Sequence, residues 1–158
     1  MSESLGASRH RAREAALQML YQWEVGRVSP HEAVRTYWPG RDVPPSPEDE
    51  RADASPEAMV DDSNRTWANA LVSGTIDKVK EADELIAAHT RNWRLERMAV
   101  IDRLIMRMAI YELLTDSGTP PRVVINEALE LARTFSGEEP VPLINGVLDA
   151  VRKTLGRE

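Results

Sequence analysis

Residues 91–114 read RNWRLERMAVIDRLIMRMAIYELL in this 158-residue sequence. Between Met98 and Leu114, apolar side chains fall on most sides of a helix and do not form a single stripe. A helix with this pattern is stable when other helices surround it on all sides. The stretch therefore predicts a helical protein in which residues 91–114 form the central core helix.

Helical periodicity recurs on both sides of this segment, while no segment alternates between polar and apolar residues as a strand would. Ser8 and Ser29 are suited to cap the first two helices, and prolines follow in the first turns of later ones. We expect an all-α fold, with a break near Glu81 left open. The predicted helices lie at residues 8–25, 30–38, 64–90, 91–114, 120–135 and 142–155.

Residues 39–61 interrupt the helical pattern. They hold five of the ten prolines and seven acidic residues. A segment of this composition cannot bury enough apolar surface to become ordered. Because such loops tolerate insertion at the surface, we expect a mobile acidic loop within one domain that spans residues 1–158.

The composition argues against several chemistries. Without cysteine, the chain has no disulfide, thiolate metal site or cysteine nucleophile, which suits a reducing cytoplasm. It contains none of the common motifs for phosphate binding, zinc binding or acyl transfer. No apolar run reaches the roughly 18 residues of a membrane span. We therefore expect a cytoplasmic protein that is not an enzyme, with no cofactor, no metal and no membrane contact.

A basic cluster lies near the N-terminus of a chain whose net charge is −6. It consists of Arg9, His10, Arg11 and Arg13, and places Arg9 and Arg13 on one helical face. The positive end of the helix adds to this charge, so the cluster favours contact with phosphate. The alternative is that the arginines only solvate the helix end. Because they lie outside the apolar stripe, we expect the arginines to be dispensable for folding.

Two further patterns predict core packing. The pair Asn145-Gly146 would favour a hairpin turn elsewhere, but here it lies within helical periodicity. We therefore expect Gly146 to let two helices approach closely. Three methionines are expected to fill the core, namely Met98, Met106 and Met108.

Five blocks of the sequence carry a resemblance to a known family: RHRAREAALQMLYQWE, ANALVSGTID, RNWRLERMAVIDRLIMRMAIYELL, PPRVVINEALELARTFS and LINGVLDAV. In type, order and spacing they resemble the NusB family of bacterial transcription antitermination factors, over nearly the whole chain apart from residues 39–61. The resemblance implies about seven helices in two small packed bundles. It also implies an adaptor that pairs with NusE, a small-subunit ribosomal protein, and binds boxA RNA in the RNA polymerase antitermination complex. Such a complex supports ribosomal RNA transcription and maturation.

The resemblance further implies two sets of site residues. The NusE-facing positions are Tyr21, Glu96 and Asp102. Leu143 stands where the family usually carries Phe, and His10 where it usually carries Arg, so this chain lacks a stacking ring worth roughly 1–3 kcal/mol and has a weaker attraction for phosphate. The RNA-contacting positions are Arg9, His10, Arg11, Arg13, Phe135, Glu139 and Leu143.

Several alternatives remain open. Asp102 could form an intramolecular ion pair with Arg103 or Arg107. The chain could be the NusB-like module of an RNA cytosine methyltransferase, although 158 residues leave no room for the S-adenosylmethionine domain that such an enzyme needs. It could also be a helical module that binds protein only, with arginines that serve solubility. Homodimerisation that covers the RNA face is left open as well.

Overall fold

The computed structural model describes residues 2–39, 60–90, 97–115 and 118–157, with side chains from Ser8 onwards. Within these ranges the secondary structure is helical and contains no strand, so the predicted all-α fold of about seven helices is confirmed. No described helix has the length and apolar character needed to cross a membrane. The helices are α1 (Ser2–Glu24), α2 (Pro30–Tyr37), α3 (Asp62–Asp77), α4 (Val79–Ala88), α5 (Val100–Leu114), α6 (Pro121–Phe135) and α7 (Val141–Thr154).

Two helix starts have side-chain caps. The amide of Glu32 donates to Ser29 Oγ at 3.1 Å, and Pro30 follows in the first turn of α2, as predicted. At the start of α3, the amide of Asn64 donates to Asp61 Oδ1 at 2.8 Å. Each cap satisfies a backbone donor that has no partner within its own helix.

Three boundaries differ from the prediction or complete it. The break left open near Glu81 occurs at Lys78 and separates α3 from α4. The start predicted at Ser8 is wrong, since α1 begins at Ser2; serine costs little inside a helix, so its hydroxyl does not force an end. The described part of the core helix begins only at Val100, where Asp102 places a carboxylate in the positive first turn. The predictions for the 39–61 loop fall mostly on residues 40–59, and that for Glu96 on residues 91–96, outside the described residues.

The chain divides into two compact units, residues 1–70 and residues 71–158. In the first unit α1 packs against α2, and Trp38 Nε1 donates to Asn69 Oδ1 of α3 at 2.9 Å. Among the described residues of this unit, most buried apolar side chains are alanines, which allows close packing of the helices. The buried apolar residues in this part are Ala12, Ala15, Ala16, Leu17, Met19, Leu20, Ala33 and Ala68.

The second unit is built around α5. This helix packs against α4, α6 and α7, and all seven residues from Leu104 to Ile110 are buried. Residues on successive sides of a helix can be buried together only when neighbours surround it. The central position predicted for this helix is therefore confirmed, as is the burial of the three methionines, Met98, Met106 and Met108.

A buried charge lies inside this core. The side chain of Arg107 is only 7% exposed, and its guanidinium donates from Nε and Nη2 to both carboxylate oxygens of Asp83 on α4, at 2.8 and 2.9 Å. A bidentate pair of this kind compensates the loss of hydration of the cation. The pair therefore ties α4 to α5.

Close helix approach occurs at Gly74 and not at Gly146. A Cβ atom on Gly74 of α3 would overlap the ring of Tyr111 on α5, so only glycine fits there. Around Gly146, a Cβ atom would meet nothing within 4 Å among the described residues. The prediction for Gly146 is therefore wrong, because this residue lies on the exposed side of α7.

Replacing Arg107 with Met should lower the free energy of unfolding by about 3 kcal/mol, because Asp83 is left without its cation. We place the loss at the low end of the range for buried pairs because the Asp83 side chain is 31% exposed. Urea denaturation measures it. Arg133→Met removes the exposed pair with Glu130 and should cost less than about 1 kcal/mol. Equal losses in the two variants would contradict the structural role of Arg107.

Alanine substitutions at two helical glycines should have opposite effects. Gly74→Ala should lower the free energy of unfolding by about 1–3 kcal/mol, because the Tyr111 ring must move. Gly146→Ala should raise it by about 0.5–1 kcal/mol, because alanine favours the helix and meets open space. Thermal and urea unfolding of both variants would show the difference, and a destabilised Gly146→Ala protein would argue against the placement of this residue.

Candidate nucleic-acid and partner interface

The N-terminal arginines lie on α1, and two of them face the same aromatic ring. The guanidinium carbon of Arg9 is 4.6 Å from the centroid of the Trp67 ring, and that of Arg13 is 4.9 Å away. Both distances are within the range of cation–π attraction. The i, i+4 spacing thus places both arginines on one helical face, as predicted, and this face meets α3.

Arg13 is a buried residue, with only 4% of its surface exposed. The expectation that the arginines are dispensable for folding is therefore wrong for Arg13. Periodicity assigned it to the polar side of α1 because arginine is rarely buried. The ring of Trp67 changes that environment, since it provides an apolar surface that still attracts a cation.

The other two members of the cluster have different surroundings. His10 Nε2 lies 2.8 Å from Glu14 Oε1, one turn further along α1, so this histidine contacts a carboxylate of its own helix. Arg11 is half-buried, and among the described residues it has no hydrogen-bond or ion-pair partner. The charge of Arg11 is therefore not compensated by any partner among the described residues.

A cleft in the second unit contains three of the predicted site residues. Its volume is ≈ 410 Å³, and it lies where the start of α5 meets the α6–α7 connection and the first turns of α7. Asp102 and Glu139 provide carboxylates, while Met98, Leu143 and Ile144 provide apolar surface. The cleft is lined by Arg97, Met98, Ala99, Asp102, Ser136, Glu139, Pro140, Leu143 and Ile144.

The two carboxylates of the cleft differ in their contacts. Ser136 Oγ donates a hydrogen bond to Asp102 Oδ1 at 2.6 Å, which joins α5 to the end of α6. Glu139 is exposed and has no hydrogen-bond or ion-pair partner within the described ranges. Arg107 forms its bidentate pair with Asp83, and a pair of Asp102 with Arg103 or Arg107 stays an open alternative.

The remaining predicted residues lie at the surface or outside the described ranges. Phe135 ends α6 and is 38% exposed. Tyr21 on α1 is also 38% exposed. Glu96 lies outside the described residues. In the part of the chain that the structure describes, no three His, Asp or Glu residues converge as a metal site would require.

Sequence reasoning missed two residues that organise these surfaces. Trp67 was not among the predicted site residues, yet it contacts two cationic side chains. Ser136 was not among them either, yet its hydroxyl donates to Asp102. For the contact between Trp67 and the arginines, the only sequence signal is an aromatic residue on a helix that lies next to a basic helix.

These observations define an all-helical protein of two compact units, with a basic helix face in one unit and, in the other, a partly apolar cleft lined by two carboxylates and one arginine. The chain belongs to the NusB family, whose sequence model matches residues 10–153.

Relatives of known name match nearly the whole chain. A transcription antitermination protein NusB of Solibacter usitatus is 44% identical over 94% of this chain and 91% of its own length. The protein of the same name from Koribacter versatilis is 40% identical over 96% of this chain and 92% of its own length. Family membership therefore rests on both units and not on a single helix.

Solved structures show the same fold. The T. maritima NusB structure has a TM-score of 0.71 and 27% identity, with 92% of this chain and 90% of that chain covered. A crystal structure described as antitermination factors NusB and NusE in complex with dsRNA has a TM-score of 0.75, 21% identity and coverage of 93% and 97%. The predicted NusB-like fold is confirmed by these likenesses.

Arg13→Glu should lower the free energy of unfolding by about 2–3 kcal/mol, because it buries a carboxylate against the ring that held a cation. Arg11→Glu makes the same charge change two residues away at a half-buried position and should cost less than about 1 kcal/mol. Urea denaturation compares the two. If both variants unfold as the wild-type protein does, Arg13 is not buried in solution.

Proposed function

We propose that this chain is an RNA-binding transcription antitermination adaptor, which binds boxA RNA together with NusE and supports ribosomal RNA transcription and maturation. The proposal treats it as a single-domain cytoplasmic protein that acts in the RNA polymerase antitermination complex and catalyses no reaction. The observation that carries the proposal is the cleft, which brings Asp102, Glu139 and Leu143 together in a NusB-family chain.

The basic face of α1 is suited to RNA phosphates. Arg11 offers a charge with no partner among the described residues, and Arg9 lies half-buried on Trp67 beside it. In an acidic protein, a local cluster of this kind determines where a polyanion can bind. In this proposal Arg11 and Arg9 contact phosphates, and His10 contributes less because it faces Glu14.

The second unit offers groups that read bases. Phe135 is exposed at the end of α6, where its ring can stack on a single-stranded base. A carboxylate repels phosphate, so Glu139 would accept hydrogen bonds from base amino groups. Leu143 supplies apolar contact without the stacking of an aromatic ring.

The same cleft is suited to a basic protein partner. Asp102 lies beside Met98 and Ile144, so a lysine or arginine of NusE could place its aliphatic stem on the apolar surface and its charge on the carboxylate. Tyr21 adds an exposed aromatic surface on α1, and Glu96 remains part of the proposed NusE-facing set. The solved complex of NusB and NusE with dsRNA supports this assignment at the level of the fold.

One observation favours a second candidate, a helical module that binds protein only. Arg13 is buried and His10 faces Glu14, so part of the basic cluster serves contacts within the chain. If RNA binding fails while NusE binding persists, this candidate replaces the first. A homodimer that covers the RNA face would instead show RNA affinity that falls as protein concentration rises.

A titration with purified NusE and a boxA oligonucleotide, added separately and then together, tests the proposal. We expect the three components to form a complex tighter than either pair. Arg11→Glu should weaken RNA binding and lower the slope of log affinity against log salt by about 1, because one phosphate contact is lost. Arg122→Glu makes the same charge change at an exposed position on α6 and serves as the control.

The partner surface has its own variant in the same titration. Asp102→Lys should weaken NusE binding at least tenfold, that is by about 1.4 kcal/mol, because two basic groups would meet. RNA binding in the absence of NusE should not be weakened, because the change adds positive charge beside Glu139 and Leu143. Loss of RNA binding in Arg122→Glu, or normal RNA binding in Arg11→Glu, would contradict the proposed RNA surface.

A further inference from the structure

The first half of α3 carries two separate contacts between an indole ring and cations. On one face, the ring of Trp38 lies 5.2 Å from the Arg65 guanidinium and binds Asn69. Trp67 lies two residues from both Arg65 and Asn69 along α3, which places it on the opposite side of the helix. There its ring meets the arginines of α1. The Trp67 contact is therefore distinct from the packing of α2 on α3.

We propose that Trp67 is a positioning residue for RNA binding, because its ring holds the guanidinium groups of Arg9 and Arg13 in place on α1. This inference rests on the proposed function and adds a residue that does not itself contact RNA. Arg13, which is buried, anchors the ring on α1, while the half-buried Arg9 is the side chain that Trp67 presents to phosphate.

The physical reason is the cost of ordering an arginine. A long side chain that is free in the unbound protein loses conformational entropy when it binds a phosphate. Cation–π attraction orders the side chain beforehand and leaves its positive charge intact. Folding therefore already includes much of the entropy cost of ordering Arg9, and less of that cost remains when Arg9 binds RNA.

Three variants test this role with the boxA oligonucleotide. Trp67→Leu should weaken RNA binding roughly three- to tenfold, the cost of ordering one long side chain on binding. Trp67→Phe keeps an aromatic face and should restore most of the affinity. Trp38→Leu is the matched control, because it removes the other indole–arginine contact of α3. It should lower stability and leave RNA affinity unchanged.

A double-mutant cycle distinguishes positioning from general destabilisation. If Trp67 acts through Arg9, Trp67→Leu in an Arg9→Met background should retain at most half of the effect on RNA affinity that it has alone. The Nε–H signals of Arg9 and Arg13 in the RNA-free protein should also lose their ring-current shifts in Trp67→Leu. This second readout does not depend on RNA.

The possible outcomes separate this inference from the proposed function. Failure of the wild-type protein to bind RNA would contradict both. Wild-type binding with unchanged affinity in Trp67→Leu, or equal loss in Trp67→Leu and Trp38→Leu, would overturn the positioning role alone. Full additivity of Trp67→Leu and Arg9→Met, or unshifted arginine signals in the wild-type protein, would also overturn it.

Discussion

The apolar character of α5 is the constraint on which the second unit depends. A helix with buried residues on every side cannot face water, so α4, α6 and α7 must pack around it. The ends of these helices then meet where α5 begins, and the hydrogen bond from Ser136 to Asp102 joins them there. The cleft is thus a consequence of how the core helix is covered. Arg107 can be buried in this core because Asp83 compensates its charge.

The first unit differs from the second in that it carries a cluster of positive charge on an acidic protein. Among its described residues, most buried apolar side chains are alanines. Trp67 instead packs on arginines, which contribute both surface and charge. In the proposed function, Arg13 serves the stability of this unit, while Arg11 serves recognition of RNA.

Local signals predicted the helices well. Periodicity placed α5, α6 and α7, and Ser29 followed by Pro30 predicted the start of α2, because these features depend on residues within one turn. The start of α1 was predicted six residues late, at Ser8 in place of Ser2, because a serine that can cap a helix can also continue one. Residue type alone does not decide between these uses.

Contacts distant in sequence could not be predicted in the same way. The burial of Arg13 depends on Trp67, which follows a long intervening segment. Which glycine permits close helix approach depends on the facing side chain, Tyr111 at Gly74 and open space at Gly146. The resemblance to the NusB family named Asp102, Glu139 and Leu143 as site residues, but the structure was needed to place them in one cleft.

The central claim is that the basic face of α1 binds RNA. Photo-cross-linking of the full chain to a boxA oligonucleotide that contains 4-thiouridine tests it most directly, because the reaction marks the residues in contact with the bases and their neighbours. We expect cross-linked peptides that include residues 9–13 of α1. An RNA complex whose cross-links all lie on other helices, with none on this segment, would contradict it.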